Sequence, residues 1–208
     1  MVSMAESGSR TEQQLNQLVA QAKQGDRDAF ERIVDAYRRK IRDYAAKMLN
    51  DPSEAEDVAQ QTFVRAYEAI SDLRDNSRFQ TWLYRIASNL AIDASRKRKR
   101  HRWYTVSLNE NIYDDDATEL KDNLANEDVR SPEEEMEATA EQGMIWEAVS
   151  QLTPKLRRTY ILCDVQGLDY ETAAAVMEIP LGTVKSRLFN ARKQLKGKLG
   201  TKLNTPSH

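Results

Sequence analysis

Cysteine occurs once in these 208 residues, as Cys163, and histidine only twice. One thiol excludes an intramolecular disulfide, and three such side chains cannot assemble a Cys/His zinc site from this chain alone. No Gly-rich phosphate loop, no Gly-x-Ser-x-Gly and no histidine beside a plausible nucleophile occurs. No catalytic residues, metal or cofactor are therefore expected, and the chain reads as a binding protein rather than an enzyme. Long apolar runs are missing as well. Nothing resembles a signal peptide or a membrane span, so a reducing cytoplasm is expected. Three minor candidates have plain readings: Asp114-Asp115-Asp116 is a solvated acidic run, His101 a polar surface residue, and Cys163 a small core side chain.

Net charge is also nearly absent, with 31 basic against 33 acidic residues, but the charges are strongly segregated. Arg96–Arg102 carries six Lys/Arg in seven residues, whereas Glu110–Glu141 carries 13 acids against Lys121 and Arg130, a net of −11. The tract Lys185–Lys202 is basic again, with seven Lys/Arg and no acid. Two polyanion contacts separated by an acidic linker are implied.

No convincing period-two alternation marks a strand, and helical periodicity dominates. Thr11–Gln24 places Leu15, Leu18, Val19 and Ala22 at helical spacing, with Gly25 in the position of a C-terminal cap. Asp26 can cap a second helix reaching about Leu49. Asp51-Pro52 restarts the chain, and Ala55, Val58, Ala59, Thr62, Phe63, Ala66 and Ile70 form the inward stripe of a third. Its other face shows Glu56, Asp57, Gln60, Gln61 and Arg65. After a loop at Ser71–Ser77, Phe79 opens a helix seated by Trp82, Leu83, Ile86, Leu90 and Ile92, which runs into the basic block. Aromatics bordering that block are core by spacing, yet could also stack unpaired bases. The fold class is all-α: a domain at 11–102, an acidic flexible linker at 103–137 and a second small helical domain at 138–202. Its first helix carries Met144, Ile145, Ala148, Val149 and Leu152; a second starts at Thr153-Pro154 and stops at Gly167.

The chain ends in a helix-turn-helix. Asp169 can cap a short helix holding Ala173, Ala174, Val176 and Met177, which Pro180 cannot continue. Thr183 is expected to cap the next helix, whose apolar residues Val184, Leu188, Ala191, Leu195 and Leu199 form one narrow stripe. The opposite face holds Ser186, Phe189, Asn190, Lys193 and Lys196, flanked by Lys185, Arg187 and Arg192. Such a helix suits the major groove, the stripe docking it and the polar face meeting bases and phosphates. Glu178 stands in the turn where such motifs often use glycine, which leaves Pro180 and Gly182 to shape it.

Three blocks together resemble the extracytoplasmic-function sigma factors of bacterial RNA polymerase: DPSEAEDVAQQTFVRAY (Asp51–Tyr67), FQTWLYRIASNLAIDASR (Phe79–Arg96) and the stretch Leu168–Leu195 with its IPLGTVKSRLFNARKQL. The resemblance covers about residues 15–200. It implies that Glu56, Asp57, Gln60, Gln61 and Phe63 grip the clamp helices of the polymerase β′ subunit. It places Phe79, Trp82, Arg85, Asn89, Arg96, Lys97, Arg98, Lys99 and Arg100 at the −10 element, Asn89 in a pocket for a base extruded from the non-template strand. Read from the residues, Asn89 either braces the Ser71–Phe79 loop or reads that base. The resemblance gives −35 recognition to Thr183, Lys185, Ser186, Arg187, Phe189, Asn190, Arg192 and Lys193. It further implies core polymerase (β′ clamp helices and β flap), promoter DNA and an anti-sigma factor as partners, with the acidic linker threading the polymerase's positive RNA-exit region.

Two other functions fit parts of the pattern. A stand-alone helix-turn-helix repressor or activator needs only the C-terminal motif, and a protein-interaction module could carry an incidental basic helix. Neither needs the carboxylate and amide face of Asp51–Tyr67 beside a separate aromatic and basic helix.

Overall fold

The computed structural model describes the backbone of residues 3–108 and 142–203, and the side chains of residues 12–98, 100 and 142–200. Helices α1 (Ser3–Lys23), α2 (Arg27–Leu49), α3 (Pro52–Ala69) and α4 (Phe79–Leu108) form the N-terminal group. The C-terminal group holds α5 (142–150), α6 (Pro154–Tyr160), a π-turn at Ile161–Val165, α7 (Tyr170–Met177) and α8 (Leu181–Leu203). No strand occurs among the described residues. The acidic linker at 103–137 lies outside them, except that the backbone of α4 runs five residues beyond Trp103 to Leu108. The rest of the acidic tract, Asp114–Asp116 and the side chain of His101 also lie outside.

Local chemistry sets most boundaries. Asp26, Asp51 and Asp169 each accept a hydrogen bond from a backbone N–H three residues on, at 3.0, 3.0 and 2.8 Å. Gly25 closes α1 at φ +93°, the freedom expected of it. Two starts differ from the pattern. Helix α1 begins at Ser3 rather than Thr11, through good helix formers such as Ala5 and Glu6. Helix α8 begins at Leu181, because the Pro180 carbonyl already accepts from the N–H groups of Thr183 (2.9 Å) and Val184 (3.2 Å). Thr183 therefore lies inside the first turn and is not the cap. Gly182 keeps a negative φ, and the left-handed residue is Glu178 at φ +56°.

The inward stripes pack as their spacing demands. Every α3 residue assigned inward is buried, Thr62 returning its hydroxyl to the Val58 carbonyl at 2.7 Å. On α2, Ile33, Ile41, Tyr44 and Ala45 are fully buried, and on α8 so are Val184, Leu188, Ala191 and Leu195 to within 5%. Aromatic edges fix the crossings: Tyr37 meets Phe79 at 5.9 Å between centroids, and Tyr44 meets Tyr84 at 5.7 Å and 89°.

The apolar cluster does not stop at the end of the N-terminal group. It continues from Val19, Ile33, Tyr44 and Tyr84 into Val149, Ile161, Leu162 and Val176. The two groups are packed together, α7 lying against α4 and the π-turn against α2. Tyr84 donates its hydroxyl to Gln166 Oε1 at 2.8 Å, and the Lys47 ammonium stands 4.4 Å from the centre of the Trp146 ring.

Candidate nucleic-acid interface

Helix α8 presents the face that its pattern predicts. With the Val184–Leu195 stripe buried, Lys185, Ser186, Phe189, Asn190 and Lys193 are exposed on the opposite side. Phe189 is 68% exposed, a large apolar side chain held in solvent on a cationic surface. Arg187 and Thr183 are half-buried on one flank. Arg192, on the other flank, is engaged: its Nε and Nη2 meet both carboxylate oxygens of Asp164 at 2.8 and 2.5 Å. That hydrogen-bonded carboxylate pushes the Arg192 pKa further up. The arrangement can read a groove through donors, a hydroxyl, an amide and one apolar contact.

On α4 the assigned residues divide. Phe79 is buried between Tyr37 and Trp82, so the expected DNA contact is corrected to a core role: the first residue of α4 packs its ring against α2. Trp82 is half-buried. Arg98 is corrected too. Its Nη2 donates to the Leu49 carbonyl at 2.8 Å, and its Nη1 lies 3.4 Å from Glu54 and 3.8 Å from Asp51, so it ties the α2–α3 turn instead of offering a free charge. Arg85 reaches into the C-terminal group. Arg96, Lys97 and Arg100 are exposed, Arg96 at 4.0 Å from Asp93, and the side chain of Lys99 lies outside the described residues.

Asn89 is exposed and makes no side-chain hydrogen bond among the described residues. The loop expected to fold towards it goes elsewhere. Lys23 donates to the Leu73 carbonyl (2.6 Å) and to Asn76 Oδ1 (3.2 Å), and Asn76 Nδ2 reaches the Asn16 carbonyl at 3.4 Å. Those bonds fasten the loop to α1, and Asn89 lies ten residues along α4 from Phe79, about 15 Å at helical rise. Among the described residues Asn89 makes no hydrogen bond to the loop and stands exposed on α4.

The outer face of α3 is intact. Asp57, Gln60 and Gln61 are exposed, whereas Phe63 is 8% exposed and belongs to the core, a correction to its placement on the contact face. Glu56 accepts a hydrogen bond from Arg38 at 3.2 Å, which holds its carboxyl below the ordinary range. Two apolar residues share this face unforeseen: Val64 is 57% and Tyr67 46% exposed, one and two turns beyond Gln60. The available signal was that neither belongs to the inward stripe. Between α3 and α4 runs a groove of about 830 Å³, floored by Val58, Leu90 and Ala94 and edged by Asp57, Gln61, Arg65 and Lys97.

Among the described residues no group of acids, histidines and cysteine could hold a metal ion, and no helix is long and apolar enough to cross a membrane.

Comparison with known proteins agrees with this geometry. Residues 33–101 match the model of Sigma-70 region 2, and residues 142–195 that of Sigma-70, region 4. The chain is 36% identical over 185 residues to the RNA polymerase sigma-H factor of Pseudomonas aeruginosa, covering 89% of this chain and 93% of that one. It is 34% identical over 188 residues to the ECF RNA polymerase sigma factor SigW of Bacillus subtilis, covering 90% and 98%. Its fold resembles that of CnrH, solved with the cytosolic domain of CnrY, at a TM-score of 0.65 and 24% identity over 90% of this chain and 98% of that one. The sigma factor RpoE of Bartonella quintana, solved with the anti-sigma factor NepR, gives 0.64 and 23% over 85% and 98%. An α3 face of carboxylate and amides, a basic α4 and a groove-reading α8 thus occur in one chain with near-full-length sigma relatives, and the protein belongs to the extracytoplasmic-function sigma factors.

Proposed function

We propose that this chain binds core RNA polymerase, carries it to promoters by reading −35 and −10 elements, and promotes strand opening there. The observation that carries the reading is the α8 face, where Lys185, Ser186, Phe189, Asn190 and Lys193 stand exposed opposite a fully buried stripe. Residues 138–202 read the −35 element, residues 11–102 serve polymerase binding and the −10 element, and residues 103–137 join them. Asp57, Gln60 and Gln61 meet the β′ clamp helices, with Val64 and Tyr67 adding apolar area to that face; the β flap takes the C-terminal helices. Asn89, Lys97 and Arg100 serve the opened strand. An anti-sigma factor is a further partner, and the setting is the cytoplasm. The chain itself catalyses nothing.

Energetics favour shared anchoring. Opening a duplex costs about 1.4 kcal/mol per stacked step, more than a few phosphate contacts return. Two weak sites on one large enzyme gain instead from effective concentration.

Run-off transcription by core polymerase on genomic fragments, with and without the purified chain, tests the proposal. A new set of start sites sharing upstream and −10 sequences is expected. Absence of new starts, with tight specific DNA binding by the chain alone at physiological salt, would establish the stand-alone regulator instead.

A further inference from the structure

The cations of α8 do not choose a base, and one uncharged side chain among them can. Arg192 carries the paired donors that match the two acceptors of a guanine edge, but its Nε and Nη2 are given to Asp164. Arg187 is half-buried on the flank. Lys185 and Lys193 are exposed point charges on flexible stems, which fit phosphates. The Ser186 hydroxyl donates to the Thr183 carbonyl at 3.1 Å, which leaves it only lone pairs to offer. Asn190 is exposed, and its amide has no hydrogen-bond partner among the described residues.

Helical phase aims that amide at the floor of a groove. At about 100° per residue, the line opposite the buried Val184–Leu195 stripe runs through Ser186 and Lys193. Phe189 and Asn190 straddle it, each about 50° away. Asn190 lies about 14 Å along the helix from Leu181, close to the major-groove width of about 12 Å. Gln194 carries the same chemical group, but it lies about 20 Å along and about 90° from that line.

The chemistry then selects the base. A planar amide sets one acceptor beside one donor. Adenine alone presents the matching pair in the major groove, its N6 donor beside its N7 acceptor. Guanine shows two acceptors, cytosine a donor, and thymine an acceptor with a methyl group. The neighbouring Phe189 ring, 68% exposed, sheds water from beside the amide when the helix docks. An unmatched base then leaves polar groups buried without partners.

Resting on the promoter reading above, we propose that Asn190 is a specificity-determining residue and that its amide makes one position of the upstream element adenine. Asn190 Nδ2 donates to adenine N7, and adenine N6 donates to Asn190 Oδ1. The lysines on either side add affinity without preference.

The test uses the full chain with core polymerase. A duplex library is randomised over the upstream element, its −10 element taken from a start site found by run-off transcription, and the captured molecules are sequenced. The parent should favour adenine at one upstream position by about five- to 150-fold. Asn190→Ala should flatten that position alone, Asn190→Arg should move it to guanine, and Gln194→Ala should leave it adenine. Placing 7-deazaadenine there, which lacks the N7 acceptor, should weaken capture by the parent about five-fold or more and by Asn190→Ala not at all. Thermal unfolding should be the same for all four proteins, since both amides are exposed. A parent without that adenine preference overturns the proposal, as does a preference that survives Asn190→Ala, falls equally at every upstream position, or follows Gln194. An upstream element selected alike by every variant thus counts against Asn190 alone. A library from which no variant selects any upstream sequence refutes the promoter reading, and the role of Asn190 with it.

Discussion

Replacing Arg192 by alanine decides whether it contacts DNA, as its place beside the recognition face suggests, or braces α8. The geometry favours a brace. Its two donors fit both Asp164 oxygens at 2.8 and 2.5 Å, and the Asp164 side chain is only 20% exposed. A guanidinium already neutralised by a carboxylate must break that pair before it can neutralise a phosphate. Each phosphate neutralised contributes about 0.9 to the slope of log affinity against log salt, so losing one should cost about 3.5-fold of salt sensitivity between 50 and 200 mM. Arg192→Ala should leave the slope unchanged while lowering stability by less than about 1 kcal/mol, since Arg192 is half exposed. Lys185→Ala should do the reverse, reducing the slope by about 0.9 and moving stability by no more than about 0.5 kcal/mol. The assay is anisotropy of the isolated chain on a −35 duplex over a salt series, with urea unfolding alongside. A slope that falls for Arg192→Ala as it does for Lys185→Ala would refute the brace.

Cys163 is buried, and burial pushes its thiol up to about 11; at pH 8 iodoacetamide should label it roughly a hundredfold more slowly in the native than in the denatured chain, and equal rates would refute its place in the core. Asp169→Ala should cost about 1 kcal/mol, because the carboxylate caps α7 through both the N–H and the hydroxyl of Thr172. Those hydrogen bonds depress its folded pKa, so its contribution is present above the unfolded value of about 3.9 and lost as pH falls through the folded one. Asp169→Asn should therefore keep the cap at neutral pH and flatten stability below about pH 4; an unchanged acid limb would contradict this. Phe189→Ala should leave stability within about 0.5 kcal/mol yet weaken −35 binding by about 1–3 kcal/mol, whereas Leu188→Ala, one residue away and 2% exposed, should cost about 2–5 kcal/mol of stability. Urea unfolding and anisotropy separate the two, and a destabilising Phe189→Ala would place that ring in the core.

The helices were legible because burial imposes a period on sequence. The α3 set from Ala55 to Ile70 and the α8 stripe from Val184 to Leu195 are buried residue for residue as their spacing requires. The three aspartate caps were legible for the same reason, a short acceptor placed before an apolar-periodic run. The turn of the helix-turn-helix was not. Proline at 180 and glycine at 182 are the residues that ordinarily shape such turns, yet the left-handed position fell to Glu178. That position is the C-cap of α7, where the Glu178 N–H bonds the Ala174 carbonyl; helix ends favour glycine there, so a glutamate carried no signal for it.

The same limit separates the charges that are free from those that are spent. Arg98 and Arg192 lie in stretches whose composition reads as polyanion-binding, and each is engaged by a partner at least 28 residues away in sequence. Composition marks the helix but not the residue. Helical phase marks more than composition does. Ala87, Ala91, Ala94 and Arg98 follow one another at steps of four, three and four, so Arg98 continues the inward stripe of α4 into the basic block. A cation in that phase must find an acceptor on a packed neighbour, and the open carbonyl at the end of α2 supplies it. Lys97 and Arg100 lie out of that phase, and what distinguishes Arg98, itself 43% exposed, is the carbonyl it reaches. Phase alone does not settle α8, where Lys185 and Arg192 are seven residues apart and nearly in phase; there the packed neighbour decides, and Arg192 meets Asp164. Composition marks the helix, phase marks its outer side, and the acceptors on packed neighbours decide which cations are already spent.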